Sequence, residues 1–96
     1  MLAKIHIANF IEILKWNGVF KMTENELGQI LKEMYRNAPH GYQVANIHLF
    51  GVKFASVINK NHFNVKNIVS FAELNPSYAS EVSKGIKLSE YVSPKL

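Results

Sequence analysis

The chain has 96 residues, of which 48% are hydrophobic and 19% are charged, and it contains no cysteine. This length and composition indicate one folded domain spanning residues 1–96, and they exclude a disordered chain or one stabilised by disulfides. The formal net charge of +4 and the pI near 9.4 permit nucleic-acid binding. Charge alone does not mark a binding end, because residues 1–59 carry six Lys/Arg against four Glu, and residues 60–96 carry five against three.

The N-terminal segment predicts an amphipathic helix. Residues 3–16 place apolar side chains on one helical face, and the pair Asn17-Gly18 provides a stop. Polar residues interrupt the segment too often for a signal peptide or a membrane span. Together with the absence of cysteine, this leads us to expect a cytoplasmic protein without a membrane partner. The apolar face consists of Ile7, Phe10 or Ile11, and Leu14.

A second helix is predicted by the strongest local pattern outside residues 64–85. In Thr23-Glu24-Asn25-Glu26 the Thr23 hydroxyl can accept from the Glu26 amide while the Glu26 carboxylate reaches back to Thr23, which is a capping box. The helix should end near Asn37-Ala38-Pro39, since proline disfavours its continuation. The residues expected to point inward are Leu27, Ile30, Leu31 and Met34.

Residues 42–59 form the most apolar segment, and their length and spacing favour one long helix over strands. Apolar side chains run most of the way round this helix, which indicates either a central helix or one with a second face for another subunit. We therefore expect a homodimer through it. The positions that fit the helix are Val44, Ile47, Phe54, Ala55 and Ile58. The predicted dimer interface consists of Leu49, Phe50, Phe54 and Val57.

Residues 64–85 predict a helix, a tight turn and a second helix. Asn64 can cap the first helix, and Leu74-Asn75-Pro76-Ser77 breaks it and starts the second, because Asn75 or Ser77 can accept from free backbone amides. Ala79 and Val82 then point inward, and Gly85 is expected to end or bend the second helix. A polar outer face is what a recognition helix needs in the major groove of DNA. That face would consist of Pro76, Ser77, Ser80, Glu81 and Lys84.

The stretch from Ile68 to Val82 resembles the helix-turn-helix of bacterial and phage repressors, with Leu74 in the buried apolar place of the turn. Two positions depart from that pattern. Val69 stands where such motifs usually have alanine, and Glu73 stands where they usually have glycine, so a left-handed backbone at Glu73 would be strained. The rest of the chain is similar to helix-turn-helix-like domains of unassigned role in bacteria and phages.

These elements predict an all-α bundle of about five helices with a helix-turn-helix in the C-terminal third. The function predicted from them is that of a small DNA-binding protein acting on double-stranded DNA, as a transcriptional regulator or an accessory factor in DNA processing. The second helix lacks the arginine or glutamine that commonly reads bases in a bidentate manner, so we expect a dimer or larger complex to supply specificity. The expected DNA-binding residues are Lys66, Asn75, Ser77, Tyr78, Ser80, Glu81, Lys84 and Lys87.

The sequence offers no pattern for catalysis, a metal or a cofactor. The chain has no aspartate, no nucleophile or phosphate-loop motif, and its four histidines lie in four different segments. We therefore expect a protein that is not an enzyme and needs no cofactor. One competing interpretation of residues 64–85 is an ordinary helical hairpin whose polar face is solvated. The alternative function is a protein-interaction module, such as a phage-type inhibitor or an assembly adaptor, and the mild charge favours it.

Overall fold

The computed structural model describes residues 22–94, and in this range the chain forms four α-helices joined by short turns. Helix α1 comprises Glu24–Arg36, α2 Gln43–Lys60, α3 Val65–Phe71 and α4 Tyr78–Leu88. No strand occurs between residues 22 and 94, so the all-α prediction is confirmed for this part of the chain. None of these four helices is long and apolar enough to cross a membrane. The helix predicted at residues 3–16 lies outside the described residues.

Helix α1 forms as its local sequence indicates. The Glu26 amide donates to the Thr23 hydroxyl at 3.0 Å, and the Thr23 amide donates to the Glu26 carboxylate at 2.9 Å, which completes the capping box. The helix ends at Arg36, shortly before Pro39. The four residues predicted to point inward are all buried, namely Leu27, Ile30, Leu31 and Met34.

The centre of the core is supplied by α2. Phe50 and Phe54 are 0% and 2% exposed, and their ring centroids lie 5.0 Å apart. Their apolar surface is thus already buried within one chain, which corrects the prediction that both belong to a dimer interface. Leu49 and Val57 are half-buried and pack against the same core. Val44, which also fits the helical spacing, is 40% exposed.

Helices α2 and α4 cross at two glycines. A Cβ added to Gly51 would lie 2.5 Å from the Val82 carbonyl oxygen and 2.8 Å from the Gly85 Cα, and one added to Gly85 would lie 3.0 Å from the Gly51 Cα. The two backbones therefore pack directly on each other. The helix does not end at Gly85 as one of the two predictions for this residue had it, because α4 continues to Leu88 and Gly85 permits this close approach.

The last residue of α4 and the described residues just after it expose apolar side chains. Tyr91 is 82% exposed, Val92 49% and Leu88 43%. With Ile86, these residues are spaced as an apolar stripe that could tie down the end of the chain. Only Ile86 packs against the core formed by the described residues, so the other three leave apolar surface at the C-terminal end of α4.

Candidate nucleic-acid interface

Helices α3 and α4 are joined by residues 72–77, and a side-chain cap starts α3, whereas the N-cap residue of α4, Ser77, makes no side-chain cap bond. The Asn64 side chain accepts from the Lys66 amide at 2.8 Å, which starts α3. The Asn75 side chain accepts from the Ser77 amide at 2.9 Å just before α4. Pro76 suits this position because it has no amide hydrogen that would need a partner. The chain enters α4 two residues later, at Tyr78.

The turn between α3 and α4 contains a residue in the left-handed conformation. Glu73 has φ of 60°, its amide donates to the Ser70 carbonyl at 3.0 Å, and the Leu74 amide donates to the Val69 carbonyl at 3.3 Å. These two bonds form a Schellman motif, in which glycine usually occupies the place of Glu73. The turn therefore has its usual geometry although glutamate replaces glycine, and Glu73 adopts a backbone conformation that is unfavourable for a residue with a side chain.

Helix α1 holds both ends of α3. At one end Lys32 forms an ion pair with Glu73, and the hydrogen bond and charge of Lys32 lower the pKa of the Glu73 carboxyl. At the other end the Glu24 carboxylate accepts from the Asn64 amide at 2.6 Å and from the Asn67 side chain at 3.1 Å. These contacts fix the turn relative to α1, and Glu73 gains a partner that a glycine would lack.

One face of α4 is polar and exposed. Ser77, Ser80, Lys84 and Lys87 are all exposed, and their spacing of three, four and three residues places them in one row along the helix. Their local contacts leave the row accessible, since the Ser80 hydroxyl donates to the Ser77 carbonyl at 2.9 Å and the Lys84 side chain is 62% exposed. Asn75 lies just before this row and is also exposed. Lys66 is exposed in the first turn of α3.

Glu81 faces α2 instead of joining this row. One carboxylate oxygen lies 2.7 Å from His48 Nε2 and the other 3.2 Å from Lys84 Nζ, and the side chain is 22% exposed. Since an ionised carboxylate only accepts, His48 Nε2 carries a hydrogen and donates it. The hydrogen bond with His48, followed by that with Lys84, lowers the pKa of Glu81. This corrects the expectation that Glu81 is free on the outer face, because both of its oxygens have partners within the chain.

The contact between Glu81 and His48 predicts an effect of acid on stability. A carboxyl whose pKa is lowered by folding stabilises the folded chain above its unfolded pKa, about 4.3, and this stabilisation is lost as pH falls through the folded value. We expect the unfolding temperature of Glu81→Gln to fall less than that of the wild type between pH 6 and pH 3. Circular dichroism during heating measures this difference. Glu90→Gln, which removes an exposed carboxylate from the tail, should follow the wild type, and parallel curves for Glu81→Gln and the wild type would contradict the contact.

The start of α4 packs on α1 through two tyrosines. The ring centroids of Tyr35 and Tyr78 lie 5.6 Å apart and their hydroxyl oxygens 3.3 Å apart, and both residues are half-buried. The hydrogen bond with Tyr35 raises the pKa of the Tyr78 phenol. Tyr78 was predicted to bind DNA because of its place on α4. Tyr35 was not assigned to this surface, because no local pattern in the sequence connects α1 to it.

The histidines of the described residues do not form a metal site. His40 and His62 are exposed in two different turns, and His48 is bonded to Glu81. Between residues 22 and 94, no group of three or more His, Cys, Asp or Glu side chains is placed to hold a metal ion. What the surface of α4 presents is a set of hydroxyl and amide groups together with lysine ammonium groups.

The described residues form a helical domain of the helix-turn-helix-like class. Two of its four packed helices, α3 and α4, are joined by a tight turn, and α4 carries an exposed polar row. A comparison with protein families agrees: the model of a family described as an HTH-like domain matches residues 23–95, roughly three quarters of the chain. The chain belongs to this family, and its resemblance to helix-turn-helix proteins is confirmed at that level. No curated protein and no solved structure gives a significant match.

Proposed function

We propose that the chain is a DNA-binding protein whose helix α4 enters the major groove of double-stranded DNA as the recognition helix. The observation that carries this proposal is the exposed row of Ser77, Ser80, Lys84 and Lys87 on the second of two helices joined by a tight turn. Glu81 supports it as well, because its carboxylate is turned toward α2 and both oxygens are occupied. The row itself has no acidic residue, and the carboxylate of Glu81, which contacts Lys84 of the row, is bonded to that lysine and to His48.

The proposed contacts divide into base readout and phosphate binding. Asn75, Ser77 and Ser80 offer amide and hydroxyl groups that can meet base edges or nearby phosphates. The ammonium groups of Lys84, Lys87 and Lys66 would neutralise backbone phosphates. A serine hydroxyl can form hydrogen bonds with several different bases, so a single copy of the protein would discriminate weakly between DNA sequences. A second copy or another protein would supply the specificity.

In this proposal the protein is a non-enzymatic, cytoplasmic factor of bacterial or phage type. It would act as a transcriptional regulator or as an accessory to DNA processing. A homodimer remains part of the proposal, but its interface cannot be formed by Phe50 and Phe54, which are already covered within the chain. In this proposal the dimer contact therefore uses a surface other than those two side chains.

The lysines of the row are tested by the salt dependence of binding. We expect Lys84→Ala and Lys87→Ala each to weaken binding to duplex DNA of any sequence and to reduce the slope of log affinity against log salt by about 0.9. Fluorescence anisotropy with labelled random-sequence duplex measures both quantities. Lys60→Ala is the matched control, because it removes an exposed lysine at the C-terminal end of α2 that is not among the proposed DNA contacts. Slopes equal to that of the wild type in both α4 variants would remove these lysines from the interface.

A protein-interaction module is the second candidate function, and one observation favours it. Leu88, Tyr91 and Val92 expose apolar side chains at the C-terminal end of α4, where a protein partner could cover them. Binding through such a surface would depend little on salt, whereas binding to phosphates depends on it strongly. Salt dependence therefore distinguishes the two functions.

A further inference from the structure

A row of polar residues on α1 follows the connection between α3 and α4. Gln29, Lys32 and Arg36 lie on one helical face because they are spaced by three and four residues. The Gln29 side chain donates to the Phe71 carbonyl at 3.4 Å, and Lys32 pairs with Glu73 in the turn. Arg36 continues this row one helical turn further, with a side chain that is 65% exposed.

Arg36 is available to bind an anion. Its guanidinium lies 3.8 Å from the Glu33 carboxylate, whose side chain is 48% exposed. An ion pair of this length between exposed side chains contributes little to the stability of the fold, because water screens both charges. The guanidinium offers planar donors that suit a phosphate group, and it can turn from Glu33 to such a ligand at small cost.

The hydroxyl groups of Tyr35 and Tyr78 lie next to this end of α1. Two hydroxyls 3.3 Å apart share one hydrogen between them, so the second hydroxyl hydrogen remains as a donor. The hydrogen bond with Tyr35 raises the pKa of the Tyr78 phenol, which favours its protonated form. Tyr78 directly follows Ser77, the first residue of the exposed row of α4, and Tyr35 directly precedes Arg36. The hydroxyl pair therefore joins the last turn of α1, which ends at Arg36, to the first turn of α4.

We propose that the Tyr35–Tyr78 hydroxyl pair and Arg36 bind the DNA backbone, contacting one phosphate or two adjacent phosphates of the same strand while α4 occupies the groove. This inference rests on the proposed function and extends the interface to a helix outside the residues assigned above. Hydroxyl groups and arginine are common donors to backbone phosphates, and such contacts fix the register of a protein on the duplex. Tyr35 and Arg36 would thus orient α4 without reading sequence.

The experiment is equilibrium binding of the full chain to a short random-sequence duplex at several salt concentrations. We expect Arg36→Ala to weaken binding and to reduce the salt slope by about 0.9, as the loss of one phosphate contact requires. We expect the double variant Tyr35→Phe/Tyr78→Phe to weaken binding about threefold to tenfold without changing the slope, because a neutral hydroxyl displaces no counterion. Phenylalanine keeps the ring contact, and the unfolding temperature checks that each variant is folded.

The possible outcomes separate this inference from the function on which it rests. Wild-type affinity and slope in Arg36→Ala, together with wild-type affinity in the double tyrosine variant, would overturn the phosphate contact if Lys84→Ala still reduces the slope. An equal loss in the control Lys60→Ala would also overturn it, because the effect would then reflect total charge alone. If the wild type shows no salt-sensitive binding to DNA at all, the proposed function fails and this inference fails with it.

Discussion

Replacing Gly51 or Gly85 with alanine should destabilise the protein by about 2 kcal/mol and lower its unfolding temperature by roughly 8–16 °C. The added Cβ at Gly51 would lie 2.5 Å from the carbonyl oxygen of Val82, and a Cβ at Gly85 would meet the backbone of His48. Backbone atoms cannot move aside by changing rotamer, so the helices must separate. Because backbone meets backbone, the cost of overpacking should fall at the upper end of its usual range, about 3 kcal/mol, and the better helix propensity of alanine returns about 1 kcal/mol, which leaves about 2 kcal/mol.

The same substitutions should affect binding to DNA, because α4 lies on α2 through this crossing. We expect weaker binding by Gly85→Ala than by the wild type even below the unfolding temperature of the variant. Ser56→Ala is the matched control, since it places an alanine at an exposed position of α2, where no loss of stability is expected. An unfolding temperature for Gly51→Ala equal to that of the wild type would show that the two helices are not in backbone contact.

An aspartate in place of Phe50 should unfold the chain. Phe50 is 0% exposed, and removing a buried phenyl ring costs about 3–5 kcal/mol before the new charge is considered. Placing a carboxylate in an apolar core adds several kcal/mol more, and the total reaches the whole stability of a typical small domain, about 5–15 kcal/mol. Far-ultraviolet circular dichroism should therefore show the loss of helix at 25 °C.

The position of Phe50 decides between a core and a subunit surface, so this variant needs a control on the same helix. Ser56→Asp introduces the same charge at an exposed position of α2 and should leave the chain folded. A folded, helical Phe50→Asp would mean that the residue lies on the outside, and the original prediction of a dimer interface at this position would then stand.

Local rules predicted those parts of the fold that depend on neighbouring residues. The capping box at Thr23 and the stop before Pro39 are set by contacts within a few residues, and both predictions are confirmed. The length of α2 was also predicted, but its orientation was not, since apolar residues surround the helix and no periodicity distinguishes the buried face. Phe50 was accordingly assigned to a subunit surface, although it lies in the core.

The proposed DNA surface shows the same division. The row on α4 follows from the spacing of Ser77 and Lys84, which a single helix determines. The environment of Glu81 cannot be derived from the spacing within one helix, because its partner His48 lies 33 residues away on another helix. Gly85 was mistaken for a helix end for a related reason: a glycine inside a helix resembles a terminator until the helix that crosses it is known.

The central claim is that this chain binds double-stranded DNA through α4, and the most direct test is the affinity of the purified wild type for random-sequence duplex at low and at physiological salt. The claim predicts measurable binding at low salt that weakens steeply as salt increases, with a slope of about −2 to −4 from Lys84, Lys87 and the neighbouring phosphate contacts. No binding even at low salt would contradict it and would favour a protein partner at Leu88, Tyr91 and Val92.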